Sequence, residues 1–317
     1  MNEKYMIALD VGGTKTDAVL FSQSGRIVKR ISAAGGIPFD HGVKTTIDNC
    51  IRAIDSLLDK TGIKPCALYA AIATVEYYHS EFISAFRERT DIERIRIEGD
   101  GCCLISAMLG HSDGACMICG TGSALYMRKG DEYRHIGGGG QLIDSCGSGF
   151  ALGRYALQSC LRACDGSTHP TLLCNLIEKQ AGGRPWEDLP TVYSIGRSYI
   201  ASFARAVFEA RRLGDTTARR IFNTCASDIA DVIWAARNEI GHGFDIVFNG
   251  GIFSNFPEYA DAVRALAPSD INVIYSNVPP VYGCAVEAMY DMGIGCDSHF
   301  KEEFMRGYAK QKDGVTK

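Results

Sequence analysis

The chain has 317 residues, 46% of them hydrophobic and 22% charged, which excludes a disordered or fibrous protein and fits two globular domains or two lobes of one unit. Lys and Arg number 33 against 37 Asp and Glu, a net charge of −4, so no basic surplus draws the chain to a phosphate backbone and nucleic acid is not an expected partner. No apolar run approaches the roughly 20 residues of a spanning helix, and Met1 to Tyr5 lacks the basic-then-apolar start of a signal peptide, so the expectation is a soluble, cytoplasmic protein without membrane contact.

The first 35 residues read as three short strands with tight turns between them. Met6–Leu9 is a buried strand, Asp10-Val11-Gly12-Gly13-Thr14 a glycine-rich turn and Asp17–Phe21 a second strand. After the turn at Ser22–Gly25, Arg26–Ile31 is the third. Ile47, Ile51, Ile54, Leu57 and Leu58 then mark one face of an amphipathic helix. Ala67–Ala73 reads as a strand, Ser80–Arg89 as a helix and Arg94–Ile97 as a strand, with a helix starting near Asp100. The opening pattern then returns: Ala115–Ile118 is a strand, Cys119-Gly120-Thr121-Gly122-Ser123 a turn, Ala124–Arg128 a strand and Tyr133–Ile136 another. Two such halves imply a duplicated α/β fold with a cleft between them.

A helical block interrupts the second half. Ile195, Tyr199, Phe203, Val207 and Ala210 fall at the spacing of one helix, and Gly214-Asp215-Thr216 ends it and caps the next, which runs to about Ile240. Phe244–Phe248 is a buried strand with Asn249-Gly250-Gly251 at its end. Val273–Tyr275 is the expected last strand and Pro280–Met292 the last long helix, followed by a polar, partly ordered tail from Glu302.

Three glycine-rich turns at strand ends are the main chemical signal: Asp10–Thr16, Gly120–Ser123 and Asn249–Gly251. A phosphate chain needs backbone N–H donors at close range, which glycine permits, and Thr or Ser adds a hydroxyl. Singly, each is also what a hairpin uses. None fits the P-loop or the dinucleotide fingerprint.

With these turns in this order, the sequence resembles the actin/hexokinase/Hsp70-type ATPase superfamily. Asp10–Asp17 is similar to its first phosphate loop, Cys119–Ser123 to its second and Asn249–Ile252 to its adenosine loop, while Val281-Tyr282-Gly283-Cys284-Ala285 is similar to the closing helix of the N-acetylglucosamine kinase-like branch. That branch also holds ATPases that activate benzoyl-CoA reductase and 2-hydroxyacyl-CoA dehydratases. The resemblance spans residues 5 to 293. It implies ribonuclease H-like lobes with mixed five-stranded sheets, an N-terminal lobe over 1–114, a C-terminal lobe over 115–317 whose last helix packs back on the first, and a central nucleotide cleft. It also implies ATP and Mg²⁺ as cofactors, with Asp10 on the metal through water, Gly12, Gly13, Thr14, Lys15 and Thr16 with Gly120, Thr121, Gly122 and Ser123 on the phosphates, and Gly250 and Gly251 at the adenosine. A homodimer is a further implication.

Asp100 follows a strand and precedes a helix, so it reads both as a helix N-cap and as a general base for a hydroxyl attacking the γ-phosphate. Sugar kinases of the branch place their base at the matching position. Their sugar segment, of the type Gly-Gly-Trp-Gly-x-x-x-Gly-Asp-Glu-Gly-Ser, departs here to Gly137-Gly138-Gly139-Gly140-Gln141-Leu142-Ile143-Asp144-Ser145-Cys146-Gly147-Ser148. Gly139 stands where the Trp is expected, and the strand end at Ala73–Glu76 lacks its glycine turn. Gly138, Gly139, Asp144, Ser145 and Glu76 are the candidate acceptor-pocket residues.

The thirteen cysteines, an odd number, argue against a disulfide framework. Activator ATPases of the branch hold a [4Fe–4S] cluster between subunits; Cys116 and Cys119 would point to opposite faces unless Cys119 has left the strand, Cys160 and Cys164 share a helix face, and no ferredoxin-type repeat is present. The reading is an ATP-dependent kinase acting on a hydroxyl of a small sugar or amino sugar. The alternatives are an ATPase that activates a partner enzyme and a nucleotide-binding regulator without transfer chemistry.

Overall fold

The computed structural model describes residues 3–13 and 15–311. Within it, β1 (Tyr5–Val11), β2 (Lys15–Ser22) and β3 (Ile27–Ala34) form an antiparallel meander. A short helix α1 (Pro38–His41) leads into α2 (Val43–Leu58), which buries Cys50, Ile51, Ile54 and Leu57 on one face. Then follow β4 (Ala67–Ile72), α3 (His79–Arg89), β5 (Arg94–Glu98) and α4 (Asp100–Leu109). β4 and β5 add to the sheet in parallel with β1, giving the order β3-β2-β1-β4-β5. All six residues of β4 are buried, as a parallel central strand covered on both faces requires.

The pattern repeats. β6 (Gly114–Cys119), β7 (Ser123–Lys129) and β8 (Glu132–Ile136) form a second meander. Six helices follow: α5 (Gly149–Cys164), α6 (Leu172–Ala181), α7 (Leu189–Ile195), α8 (Arg197–Ser202), α9 (Ala204–Arg212) and α10 (Thr216–Ile240). β9 (Asp245–Asn249), α11 (Gly251–Asn255), α12 (Pro257–Leu266) and β10 (Asn272–Tyr275) complete this part. Its sheet order, β10-β9-β6-β7-β8, matches the first sheet strand for strand, with β6 in the place of β1 and β9 in the place of β4. The duplication read from the turns is therefore a duplication of topology.

α13 (Pro280–Asp291) and α14 (Ser298–Lys310) end the described chain. Contacts divide it into two compact units, one of residues 1–112 with 276–317 and one of 113–275. The sequence placed a boundary at 114/115 and expected the last helix to pack back on the first lobe. In the structure a second crossing returns the closing helices to the first unit, where Cys284 Sγ on α13 donates to the Leu9 carbonyl of β1, 3.2 Å away.

Two expectations for the helices need correction. The run from Ile195 to Ala210 is not one helix. Gly196, with φ +80° and ψ −148°, separates α7 from α8, and Phe203 separates α8 from α9. The polar tail is ordered as far as it is described, and 312–317 lie outside the described residues. From Ser298 to Lys310 it is helical, and Phe300 and Phe304 are buried against Phe21. The start of α10 is as read: the Asp215 carboxylate accepts from Ala218 N at 2.7 Å, and Gly241 closes the helix with φ +91°.

Candidate active site

In the first unit β1, β4 and β5 run parallel, so their C-terminal ends share one edge of the sheet, the edge where α/β sheets bind ligands. Asp10 lies at the end of β1, opposite Asp17 on β2 and Ala71 on β4. Asp100 follows β5 as the first residue of α4. Gly99 holds the capping position, so Asp100 is not spent as the N-cap and stands in the first turn, where the helix dipole favours an anion. Burial, and then the charges of Asp100 and Asp17, push the Asp10 carboxyl up to about 7. A carboxylate held among acids in this way is suited to a cation.

The turn between β1 and β2 is shorter than the sequence indicates. Lys15 and Thr16 already belong to β2. Gly12 N donates to Lys15 O at 3.0 Å within the turn, and its carbonyl accepts from Gly36 N at 3.0 Å, beyond the end of β3, so both backbone polar groups of Gly12 are paired. Thr16 is fully buried and its hydroxyl donates to Ala34 O at 3.0 Å. Lys15 is exposed. Thr14 lies outside the described residues.

At the end of β4 the missing glycine has a structural consequence. Thr74 adopts the left-handed conformation with φ +63°, which a β-branched residue rarely takes. Its hydroxyl is buried without a hydrogen-bond partner among the described residues. Backbone strain and an orphaned hydroxyl at one residue are features that cluster at ligand sites. Glu76 follows, exposed, on the 3₁₀ turn Val75–Tyr77. The exposed ring of Phe39 lies 5.3 Å from that of Tyr77.

In the second unit the turn Gly120–Gly122 packs against the start of α5. Gly149 N and Phe150 N donate to the carbonyls of Gly120 and Thr121 at 2.8 and 3.0 Å. Gly120 N is bonded to Gly122 O at 2.8 Å. The Ser123 hydroxyl donates to Cys146 O at 2.6 Å, which fixes the segment that follows β8, whereas Thr121 is exposed. Gly250 has φ +109°, and a Cβ there would overlap the Cys119 carbonyl, so only glycine fits. Gly251 opens α11 and is exposed. Gly120, Thr121 and Gly251, distant in sequence, line one cavity of about 230 Å³ together with Arg205, Asn255 and Phe256. These last three were not singled out in the sequence, since only the turns carry a local signal. A larger cavity of about 620 Å³ lies between the end of α5 and the start of α10 and contains none of the turn residues.

The altered segment forms a compact loop. Gly138 has φ +72° and lies tightly on Ala124 and His135. Asp144 pairs with Gly140 across the loop, and its carboxylate accepts from Cys146 N at 3.0 Å. Gly139 packs against Asp144, and Ser145 is half-buried, its carbonyl accepting from Ser123 Oγ at 3.1 Å. Leu142 and Ile143 stand out at the tip, 93% and 89% exposed. Gly138, Gly139, Asp144 and Ser145 thus form one group, and Glu76 belongs to the other unit.

Most cysteines are interior, as their small apolar character predicts. Cys119 joins Ala115 and Met117 in the core on one face of β6, and Cys116 alternates to the other. On α5, Cys160 is buried and Cys164, one turn further on, is exposed. Among the described residues no three His, Cys, Asp or Glu side chains are grouped to hold a metal ion, and no helix is long and apolar enough to cross a membrane.

Residues 7–288 match the model of the BadF/BadG/BcrA/BcrD ATPase family. The chain belongs to that family. Among curated proteins this family member is similar to the glucosamine kinase GspK of Vibrio cholerae, 26% identical over 235 residues that cover 71% of this chain and 78% of that one. It is also similar to an N-acetylmuramic acid/N-acetylglucosamine kinase of Clostridium acetobutylicum, 25% identical over 236 residues, 71% of this chain and 77% of the other. Among solved structures, a candidate N-acetylglucosamine kinase from Chromobacterium violaceum superimposes with a TM-score of 0.69 at 20% identity, covering 89% of this chain and 97% of that one. The fold is that of the actin-like ATPases, as the three turns imply.

Proposed function

We propose that this family member is an ATP-dependent kinase that phosphorylates a hydroxyl of a small sugar or amino sugar. The observation that carries the nucleotide half is the convergence of Gly120, Thr121 and Gly251 on one cavity. A turn with small residues and an exposed threonine is suited to phosphates, and the glycines of the β9–α11 junction leave room for an adenosine. The sugar half is supported by the relatives, which are named glucosamine and N-acetylglucosamine kinases.

Each residue then has a task. Asp100, in the first turn of α4 at the carboxyl edge of the sheet, accepts the proton of the acceptor hydroxyl as its oxygen bonds to the γ-phosphorus. The bond from phosphorus to the bridging oxygen breaks, and ADP leaves with that oxygen's charge. Asp10 would hold Mg²⁺ through water. Asp10 offers one carboxylate at the C-terminal end of β1, and Mg²⁺ is usually held by one or two carboxylates plus phosphates and water. When bound, the ion neutralises charge developing on the phosphates. Gly13 and Lys15 frame the first phosphate turn, with Thr14 between them. Gly12 and Thr16 shape that turn, and Gly122 and Ser123 shape the second. Glu76 on the first unit, and the loop bearing Gly138, Gly139, Asp144 and Ser145 on the second, are the acceptor-side candidates of their respective units. The reading includes a homodimer, which light scattering would test.

Phosphoryl transfer to a panel of hexoses, hexosamines and N-acetylhexosamines is the direct experiment. One preferred sugar, with product formation lost in Asp100→Asn, supports the reading. Nucleotide binding without product on any acceptor overturns it in favour of a regulator.

A further inference from the structure

Arg197 is the first residue of α8, directly after the break at Gly196. Its side chain reaches the second glycine-rich turn. A Cβ on Gly122 would overlap Arg197 Nη2. Gly122 does not have a positive φ, so its backbone would accept any residue. Its lack of a side chain leaves volume that the guanidinium fills. Arg197 Nε is buried and has no hydrogen-bond partner among the described residues. A guanidinium stays protonated and has donors only. A buried donor on a cation without an acceptor is unfavourable on its own and is relieved by an anion. The following residues of the same helix, Ser198, Ala201 and Ser202, wall the 230 Å³ cavity with Gly120 and Thr121.

We infer that Arg197 is a phosphate-binding residue of the nucleotide site, supplied by the helical block and seated on the glycine turn. The inference rests on the ATP reading above. The planar fork of the side chain matches two non-bridging oxygens of a terminal phosphate, a geometry that lysine cannot reproduce.

Calorimetric titration of wild type, Arg197→Gln and Arg197→Lys with AMP, ADP and ATP in the presence of Mg²⁺ tests this. The expected result is a tenfold or greater loss of ATP affinity in Arg197→Gln, a smaller loss in Arg197→Lys, and AMP affinity within twofold of wild type. Gly122→Ala should show the same selective loss, because its methyl displaces the guanidinium, and combining it with Arg197→Gln should add little. A loss shared equally by AMP, ADP and ATP, or no loss, overturns the role of Arg197 while leaving the ATP site standing. Wild type that binds no nucleotide overturns the ATP reading itself. Unchanged thermal midpoints of the unliganded variants show that folding is intact, and Arg197→Lys carries the test if Arg197→Gln fails to fold.

Discussion

Arg30 on β3 forks onto Asp17 on β2, with Nε to Oδ1 and Nη2 to Oδ2 both at 3.0 Å and both side chains almost fully buried. Tyr308 of α14 completes the cluster. Its ring centroid lies 3.7 Å from the guanidinium carbon and its hydroxyl donates to Asp17. Arg30 Nη1 also donates to the Gln311 carbonyl at 3.2 Å. The C-terminal helix is therefore tied to the first sheet by a buried polar cluster, backed by Phe300 and Phe304 on Phe21.

Replacing Arg30 with Met strands the Asp17 charge in the interior. The expected loss is about 3–5 kcal/mol, read from urea unfolding at neutral pH. The exposed pair of Arg26 with Glu3, 2.9 Å apart, serves as the contrast, and Glu3→Gln should cost less than about 1 kcal/mol. Equal effects at the two sites would contradict the burial assigned to the Asp17 cluster.

Asp10 gives a pH signature. Its folded pKa of about 7 lies above the ordinary carboxylate value, so between about pH 4 and 7 the folded protein binds more protons than the unfolded chain. Asp10 therefore lowers stability progressively as pH rises through that window. Asp10→Asn should melt higher than wild type at pH 8, by on the order of 1–3 kcal/mol, and match it near pH 4. The same variant should lose Mg·ATP binding, and wild-type binding should weaken below pH 7 as the carboxyl takes its proton. A midpoint difference that does not change with pH would contradict this.

Asp100→Asn keeps the shape of the site and removes the base. Its kcat should fall by roughly 10²–10⁴, with KM for ATP within about threefold. A kcat within tenfold of wild type would assign the proton transfer to another group.

The two glycines after β9 should respond differently. Gly250→Ala places a side chain at φ +109° and onto the Cys119 carbonyl, so a stability loss of at least about 1–3 kcal/mol is expected. A Cβ on Gly251 meets only Asn255 Nδ2, at 3.7 Å, so Gly251→Ala should stay within about 1 kcal/mol in chemical denaturation while weakening ATP binding by narrowing the cavity.

Local chemistry alone determined much of this protein. Short apolar runs bounded by glycine turns placed the strands of both sheets within a few residues, because apolar runs and turn residues are properties of neighbouring positions. The repeat of strand, Gly/Thr turn and strand announced the matching sheet orders. The Asp215 cap and the Gly241 stop were legible for the same reason. The tertiary structure decided which polar groups remain for a ligand: Thr16 and Ser123 look alike as turn hydroxyls, yet both donate to backbone carbonyls 18 and 23 residues away. It also set α14 against Phe21, returned the closing helices to the first unit and brought Arg197 onto Gly122. Those facts depend on contacts between segments distant along the chain, which no local period or composition encodes.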